Sequence, residues 1–138
     1  MRPRTMDGNW YEPFDHLTYA LGFVEALAVL LKIGIFEMRG GASVQPVIDI
    51  GSPIFDEITI HLNREYYAGE EFIIKTVNNS PETPYIQSAM LDDQPLEQCW
   101  FYHEDLVNGG KLILHMGGKP NKEWGSKPDK LPPSMSDE

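Results

Sequence analysis

Residues 17–36 form an almost unbroken apolar segment, and this segment limits what the chain can fold into. Read as one α-helix over residues 17–38, it presents apolar side chains in nearly every direction, and the Gly40-Gly41 pair ends it. A helix that is apolar all round is normally buried in a larger protein, whereas this chain has only 138 residues. We therefore expect the segment to belong to a larger helical assembly and to cause self-association through residues 17–36.

The charge of the chain argues against two classes of partner. Its net charge is −10 and its pI is about 4.7, so it repels nucleic-acid phosphates and anionic membrane surfaces. A membrane span is also disfavoured, because Glu25 in the apolar segment would cost about 3 kcal/mol at the bilayer centre. Acidic residues soon follow Arg2 and Arg4, a pattern that does not fit a signal peptide. We expect no nucleic-acid partner and no membrane role, and the compartment stays open.

Within residues 44–118, four segments alternate between apolar and polar residues with a period of two, and turn signals separate them. This period predicts strands at 57–62, 71–78, 85–91 and 111–116. The predicted fold is mainly β with one N-terminal α-helix, the β part being a small antiparallel sandwich. The side chains expected inside it are Ile58, Ile60, Phe72, Ile74 and Leu114.

The segments between and after these strands carry specific turn chemistry. Asp92-Asp93 predicts a tight turn, and the proline two residues later predicts that the next strand is short or lies at an edge. A helical turn from His103 to Val107 should end at the Asn108-Gly109-Gly110 sequence. Residues 119–138 hold four prolines and show no periodicity. This predicts a loop or a packed extension, with Trp124 as its expected anchor.

Two clusters of charged residues are candidates for chemistry, and each also has a structural explanation. His103, Glu104 and Asp105 could form an acid/base group, but acids are also stabilised at the start of a helix. Asp56 and Glu57 could suggest calcium ligands, but neighbouring side chains in a strand point to opposite faces. We favour a helix start for the first cluster and a solvated strand edge for the second.

The aromatic run Trp100–Tyr102 could offer a platform for a sugar. Trp100 and Tyr102 would share one face of a strand, a position that is more often core or interface than ligand site. The single cysteine, Cys99, has no basic neighbour in the sequence, and we expect it to be a buried small hydrophobic residue.

Four ordered blocks resemble one enzyme family over residues 47–125: "IGSPIFDEITIHL", "NNSPETPYIQSAMLDDQPL", "WFYHEDLVNGGKLILHMG" and "PNKEWG". They are similar to the C-terminal end of glycoside hydrolase family 92, the calcium-dependent exo-α-mannosidases. That family pairs an N-terminal β-sandwich with an (α/α)₆ barrel, and the four blocks resemble the β-rich part after the barrel. The resemblance implies a function in hydrolysing terminal α-mannose, including α-1,2-linked mannose, from mannose-containing glycans. Family members are commonly periplasmic or secreted.

The first residues carry a second, smaller resemblance to the same family. The stretch "MRPRTMDGNWYEPFD" is similar to a loop in the middle of the barrel domain, so residues 1–16 look like a remnant of that domain. In a complete enzyme this loop would lie near the sugar pocket, which makes Trp10 and Glu12 the candidates for substrate binding. The alternative is a mobile N-terminus without a pocket. Residues 16–34 are expected to depart from the family, and "GIFEMRGG" to resume something like its last barrel helix.

The family's acidic motifs have no counterpart in this chain. Neither the glutamate-containing sequence, about "TEGN", nor the "GND"-type aspartate sequence is present. Inverting hydrolysis needs one acid and one base across the scissile bond, so we assign no catalytic residue. We expect a truncated, non-catalytic family member, in which a deletion or frameshift joins two ends, and we expect no calcium site in it.

Two other functions stay open at this point. The chain could be a stand-alone β-sandwich that binds carbohydrate or packs on a protein partner, which exposed aromatic residues on one sheet face would favour. An active small hydrolase would instead need an acid pair in a cleft, and the sequence offers no such pair.

Overall fold

The computed structural model describes residues 24–37 and 43–133. Contacts divide the chain into the units Met1–Leu30 and Leu31–Glu138. Of the first unit only residues 24–30 are described, and they are helical. The second unit contains both β-sheets, which carry the rest of the fold.

Helix α1 covers residues 24–33 in the described part of the chain, and it ends earlier than predicted. Gly34 adopts a φ of +80°, and a side chain there would meet the Gly51 carbonyl oxygen at 2.8 Å. This glycine turns the chain into strand β1, Ile35–Phe36, so the prediction of a helix through residue 38 is wrong at its C-terminal end. Residues 17–23 lie outside the described part. No helix within the described ranges is both long and apolar enough to cross a membrane.

The smaller sheet has three antiparallel strands in the order β1-β2-β7. Strand β2 is Val47–Ile50 and strand β7 is Trp100–Tyr102. Strand β2 pairs with β7 over three residues, with Val47 opposite Tyr102 and Asp49 opposite Trp100. This pairing brings the segment before β2 next to residues more than fifty positions later in the chain.

The larger sheet has five strands in the order β3-β4-β8-β5-β6. The four predicted strands are all present, as β3 (Glu57–His61), β4 (Glu71–Val77), β5 (Tyr85–Leu91) and β8 (Gly110–Gly117). Strand β6, Gln94–Leu96, is short and lies at the edge, as the proline predicted.

One pairing departs from the predicted antiparallel arrangement, because β4 and β8 run parallel. Parallel neighbours need a long connection, and here the chain between them forms β5, β6, β7 and helix α2, His103–Val107.

Both sheets contribute to one hydrophobic core, which confirms the β-sandwich. The rings of Phe72 from the larger sheet and Phe101 from the smaller one stack at 5.6 Å. Phe72, Ile74 and Leu114 are fully buried as predicted, whereas Ile58 and Ile60 on the edge strand β3 are only partly buried. A strand with one paired edge covers its side chains from one side only, which explains this difference.

The turns and the tail have the predicted chemistry. Asp92 and Asp93 both have positive φ, as a type I′ hairpin turn requires, and connect β5 to β6. In the tail, the Trp124 indole N–H donates to the Leu96 carbonyl oxygen at 2.8 Å, which confirms Trp124 as its anchor. The Trp100 indole N–H donates to the Lys130 carbonyl oxygen at 2.9 Å, next to the 3₁₀-helix Pro128–Lys130.

Candidate functional site

A groove of about 520 Å³ lies between the segment before β2 and helix α2. Ligand-binding clefts in proteins typically enclose about 300–1,000 Å³, so its size suits a small ligand. One wall consists of the last residue of β7 and three residues of α2, and the other consists of three residues that precede β2. The lining residues are Val44, Gln45, Pro46, Tyr102, His103, Glu104 and Val107.

The two walls of the groove are joined by backbone contacts. The His103 N–H donates to the Pro46 carbonyl oxygen at 2.9 Å, which continues the β2–β7 ladder by one bond. On the first wall, the Ser43 hydroxyl oxygen accepts from the Gln45 N–H at 3.2 Å and so holds the turn that precedes Pro46. These contacts of the backbone therefore hold the two walls of the groove together, and the side chains of Gln45 and His103 are not needed for this.

The aromatic run Trp100–Tyr102 divides between the core and the groove. Phe101 is 1% exposed and Trp100 is 8% exposed, whereas Tyr102 is 36% exposed and lines the groove. The Trp100 and Tyr102 rings meet edge to face, with centroids 5.2 Å apart and planes at 82°. The core interpretation holds for Trp100 and Phe101, while Tyr102 is a fixed aromatic side chain that solvent can reach.

The His103-Glu104-Asp105 cluster separates into two roles. The Asp105 carboxylate accepts from the Tyr102 backbone N–H at 3.2 Å, so it caps helix α2 as the structural interpretation predicted. Burial raises the pKa of the Asp105 carboxyl, and the charges of Glu104 and Asp92 raise it further. The hydrogen bond from Tyr102 acts in the opposite direction and lowers this pKa. His103 and Glu104 instead line the groove, where Glu104 is the one carboxylic acid among the described lining residues.

The described residues do not fit a calcium site. No three His, Cys, Asp or Glu side chains in the ranges 24–37 and 43–133 converge as metal ligands. Asp56 and Glu57 are exposed at the edge strand, and Glu57 pairs with Lys75 at 3.2 Å instead. The solvated-edge interpretation of this pair is confirmed.

The substrate-binding candidates Trp10 and Glu12 lie outside the described residues, so their role stays a prediction. Cys99 is half-buried, and its carbonyl oxygen accepts from the Ile50 N–H at 2.9 Å within the smaller sheet. Sequence reasoning missed Gln45 and the groove itself. No local pattern marks Gln45, because the wall that it faces is more than fifty residues further along the chain.

Comparison with known proteins identifies the family. Residues 20–118 match the glycosyl hydrolase family 92 catalytic domain, which is more than half of the chain. The chain belongs to glycosyl hydrolase family 92. A protein of Arthroderma benhamiae called an uncharacterized secreted glycosidase is 30% identical over 116 residues, covering 83% of this chain and 14% of its own length.

Solved structures of family 92 members share the fold. A family GH92 inverting mannosidase from Bacteroides thetaiotaomicron VPI-5482 is 32% identical with a TM-score of 0.73, covering 83% of this chain and 15% of its own. The gh92 family glycosyl hydrolase ccman5 is 28% identical with a TM-score of 0.74, covering 98% of this chain and 16% of its own. The chain thus spans about one seventh of the relatives that it matches.

These matches confirm the resemblance over residues 47–125 and extend it. The family match begins at residue 20, so residues 20–34, which were expected to depart from the family, lie within it. Helix α1 and strand β1 are therefore part of the family sequence and not an unrelated junction.

Proposed function

We propose that this chain is a non-catalytic β-sandwich segment of a family 92 glycosidase, and that the complete protein hydrolyses terminal α-mannose, with α-1,2-linked mannose as its substrate. The solved relative at 32% identity is an inverting mannosidase, which supports the substrate class. The match spans only about 15% of that relative's chain, which supports the proposal that this segment depends on the rest of the protein for catalysis.

The composition of the groove carries the non-catalytic part of this proposal. An inverting glycosidase needs two carboxyl groups about 6.5–9.5 Å apart, one to protonate the leaving oxygen and one to activate water. Among the lining residues that the structure describes, only Glu104 has a carboxyl group, and the neighbouring Asp105 is engaged as a helix cap. A groove with a single carboxylate cannot carry out both steps.

A mannobioside assay tests the proposal. The purified chain is incubated with α-1,2-mannobiose and calcium, and released mannose is measured. We expect no release above the buffer blank, because an acid and a base each typically contribute about 10²–10⁴ in rate. Release that survives further purification would contradict the proposal. If that release fell in the Glu104→Gln variant, it would locate the activity in the groove.

A carbohydrate-binding role is the second candidate, and one observation favours it. Tyr102 is an exposed aromatic side chain next to polar groups in a groove of ligand size. Binding needs no acid pair, so this role is compatible with the absence of hydrolysis.

A further inference from the structure

We propose that the groove between residues 44–46 and 102–107 binds a neutral hexopyranose, such as the terminal sugar of an oligosaccharide. The proposal rests on the carbohydrate-binding candidate above and concerns binding alone, so its test is separate from the mannobioside assay. It rests on the groove's size, its charge, its hydrogen-bonding groups and its one exposed aromatic ring.

The charge of the groove restricts the ligand to a neutral compound. Its described lining residues include no lysine or arginine, and Glu104 adds a negative charge to a chain of net charge −10. A phosphate or carboxylate ligand would be repelled by this field. A divalent cation would meet one carboxylate and one imidazole, short of the three or more protein ligands that such ions usually take.

The polar lining fits a ligand rich in hydroxyl groups. A sugar hydroxyl both donates and accepts hydrogen bonds, and it is best matched by side chains that together do both. The Glu104 carboxylate accepts, the Gln45 amide both donates and accepts, and the His103 imidazole offers two ring nitrogens for hydrogen bonding. Within the described part of the chain, the side-chain polar groups of these three residues have no hydrogen-bond partner, whereas the nearby Asp105 carboxylate is already bonded to the backbone.

The apolar lining fits the carbon face of a sugar ring. Tyr102 offers an aromatic surface that is 36% exposed, and contact with Trp100 at 5.2 Å fixes its orientation. A ring held in place before binding loses little side-chain entropy when a ligand stacks on it. Pro46 and Val107 complete an apolar floor beside the polar groups.

The test is a titration of the full chain with methyl α-D-mannopyranoside, followed by ¹⁵N–¹H NMR. We expect concentration-dependent shifts of the Gln45, Tyr102 and His103 amide signals, with a Kd in the millimolar range. A Kd of 1 mM corresponds to a binding free energy of about −4 kcal/mol. Inorganic phosphate at the same concentration should leave these signals unchanged. No shifts at about 50 mM sugar, well above that range, or larger shifts with phosphate than with the sugar, would overturn the proposal.

Three variants locate the binding. Tyr102→Ala should weaken it about tenfold, the effect of losing roughly 1.4 kcal/mol of stacking and burial. Glu104→Gln, which keeps the size of an exposed side chain and removes its charge, should weaken it several-fold. Tyr85→Ala is the matched control, because Tyr85 is similarly exposed, at 43%, on the larger sheet away from the groove. Equal weakening in the Tyr85 and Tyr102 variants, or unchanged affinity in both groove variants, would refute the site.

Discussion

Replacing Gly69 with alanine should destabilise the fold although the backbone of Gly69 is ordinary. Gly69 is buried, and its N–H donates to the Val107 carbonyl oxygen at 3.0 Å, beside the end of helix α2. An added methyl group would lie 2.3 Å from the Gly109 nitrogen and 2.4 Å from the Asn108 carbonyl carbon. Ordinary contacts begin at 3.4 Å, so the two backbone segments would have to separate by about 1 Å.

The magnitude follows from what that separation disrupts. Overpacking of this kind costs about 1–3 kcal/mol. A hydrogen bond lost from a buried N–H adds about 1–3 kcal/mol when no new partner is found. Because the obstacle is backbone and not the end of a flexible side chain, relaxation is limited, and we expect Gly69→Ala to lower the free energy of unfolding by about 3 kcal/mol.

Urea unfolding monitored by tryptophan fluorescence measures this change, with Gly51→Ala as the matched control. The nearest atom to a methyl group at Gly51 is 3.9 Å away, so this variant should be neutral or more stable by up to about 1 kcal/mol, through reduced entropy of the unfolded chain. If the two variants agreed within about 0.5 kcal/mol, the close approach of Gly69 to the end of α2 would be wrong.

Three further predictions follow, two on the pH dependence of stability and one on self-association. Burial raises the pKa of the Asp105 carboxyl above its ordinary value. Asp105 therefore contributes less to stability as the pH rises past that ordinary pKa, and Asp105→Asn should reduce this loss when the urea midpoint is measured against pH. Lys130 and Lys127 lower the pKa of Glu97, so Glu97→Gln should instead remove a loss of stability on acidification. Val29 and Leu31 are 57% and 56% exposed. We expect the wild-type chain to self-associate in light scattering, and replacing both residues with lysine to reduce this association, whereas lysine at Glu25 should not. A monomeric wild-type chain would contradict this.

Local pattern in the sequence was sufficient for the four longest strands and for the turns. Period-two alternation identified β3, β4, β5 and β8, because one face of each strand is more buried than the other. The Asp92-Asp93 turn and the end of α2 were predictable for a related reason. Their backbone conformations depend on a few adjacent residues, and the tolerated residue types are few.

Long-range pairing was beyond the reach of those patterns. Strand alternation does not specify direction, so it could not show that β4 and β8 run parallel. The end of α1 at Gly34 was missed for a similar reason. A glycine inside an apolar run becomes a helix end only because Gly51 approaches it, and Ile35–Phe36 becomes a strand only because β2 provides its partner.

The candidate site shows the same division most clearly. Family membership and the absence of the family's acidic motifs could be read from short blocks of sequence, because those motifs are contiguous. The groove could not, since Gln45 and Tyr102 are brought together by the β2–β7 pairing. Only that pairing turned one tyrosine of an aromatic run outward, while the packing of both sheets buried its two neighbours.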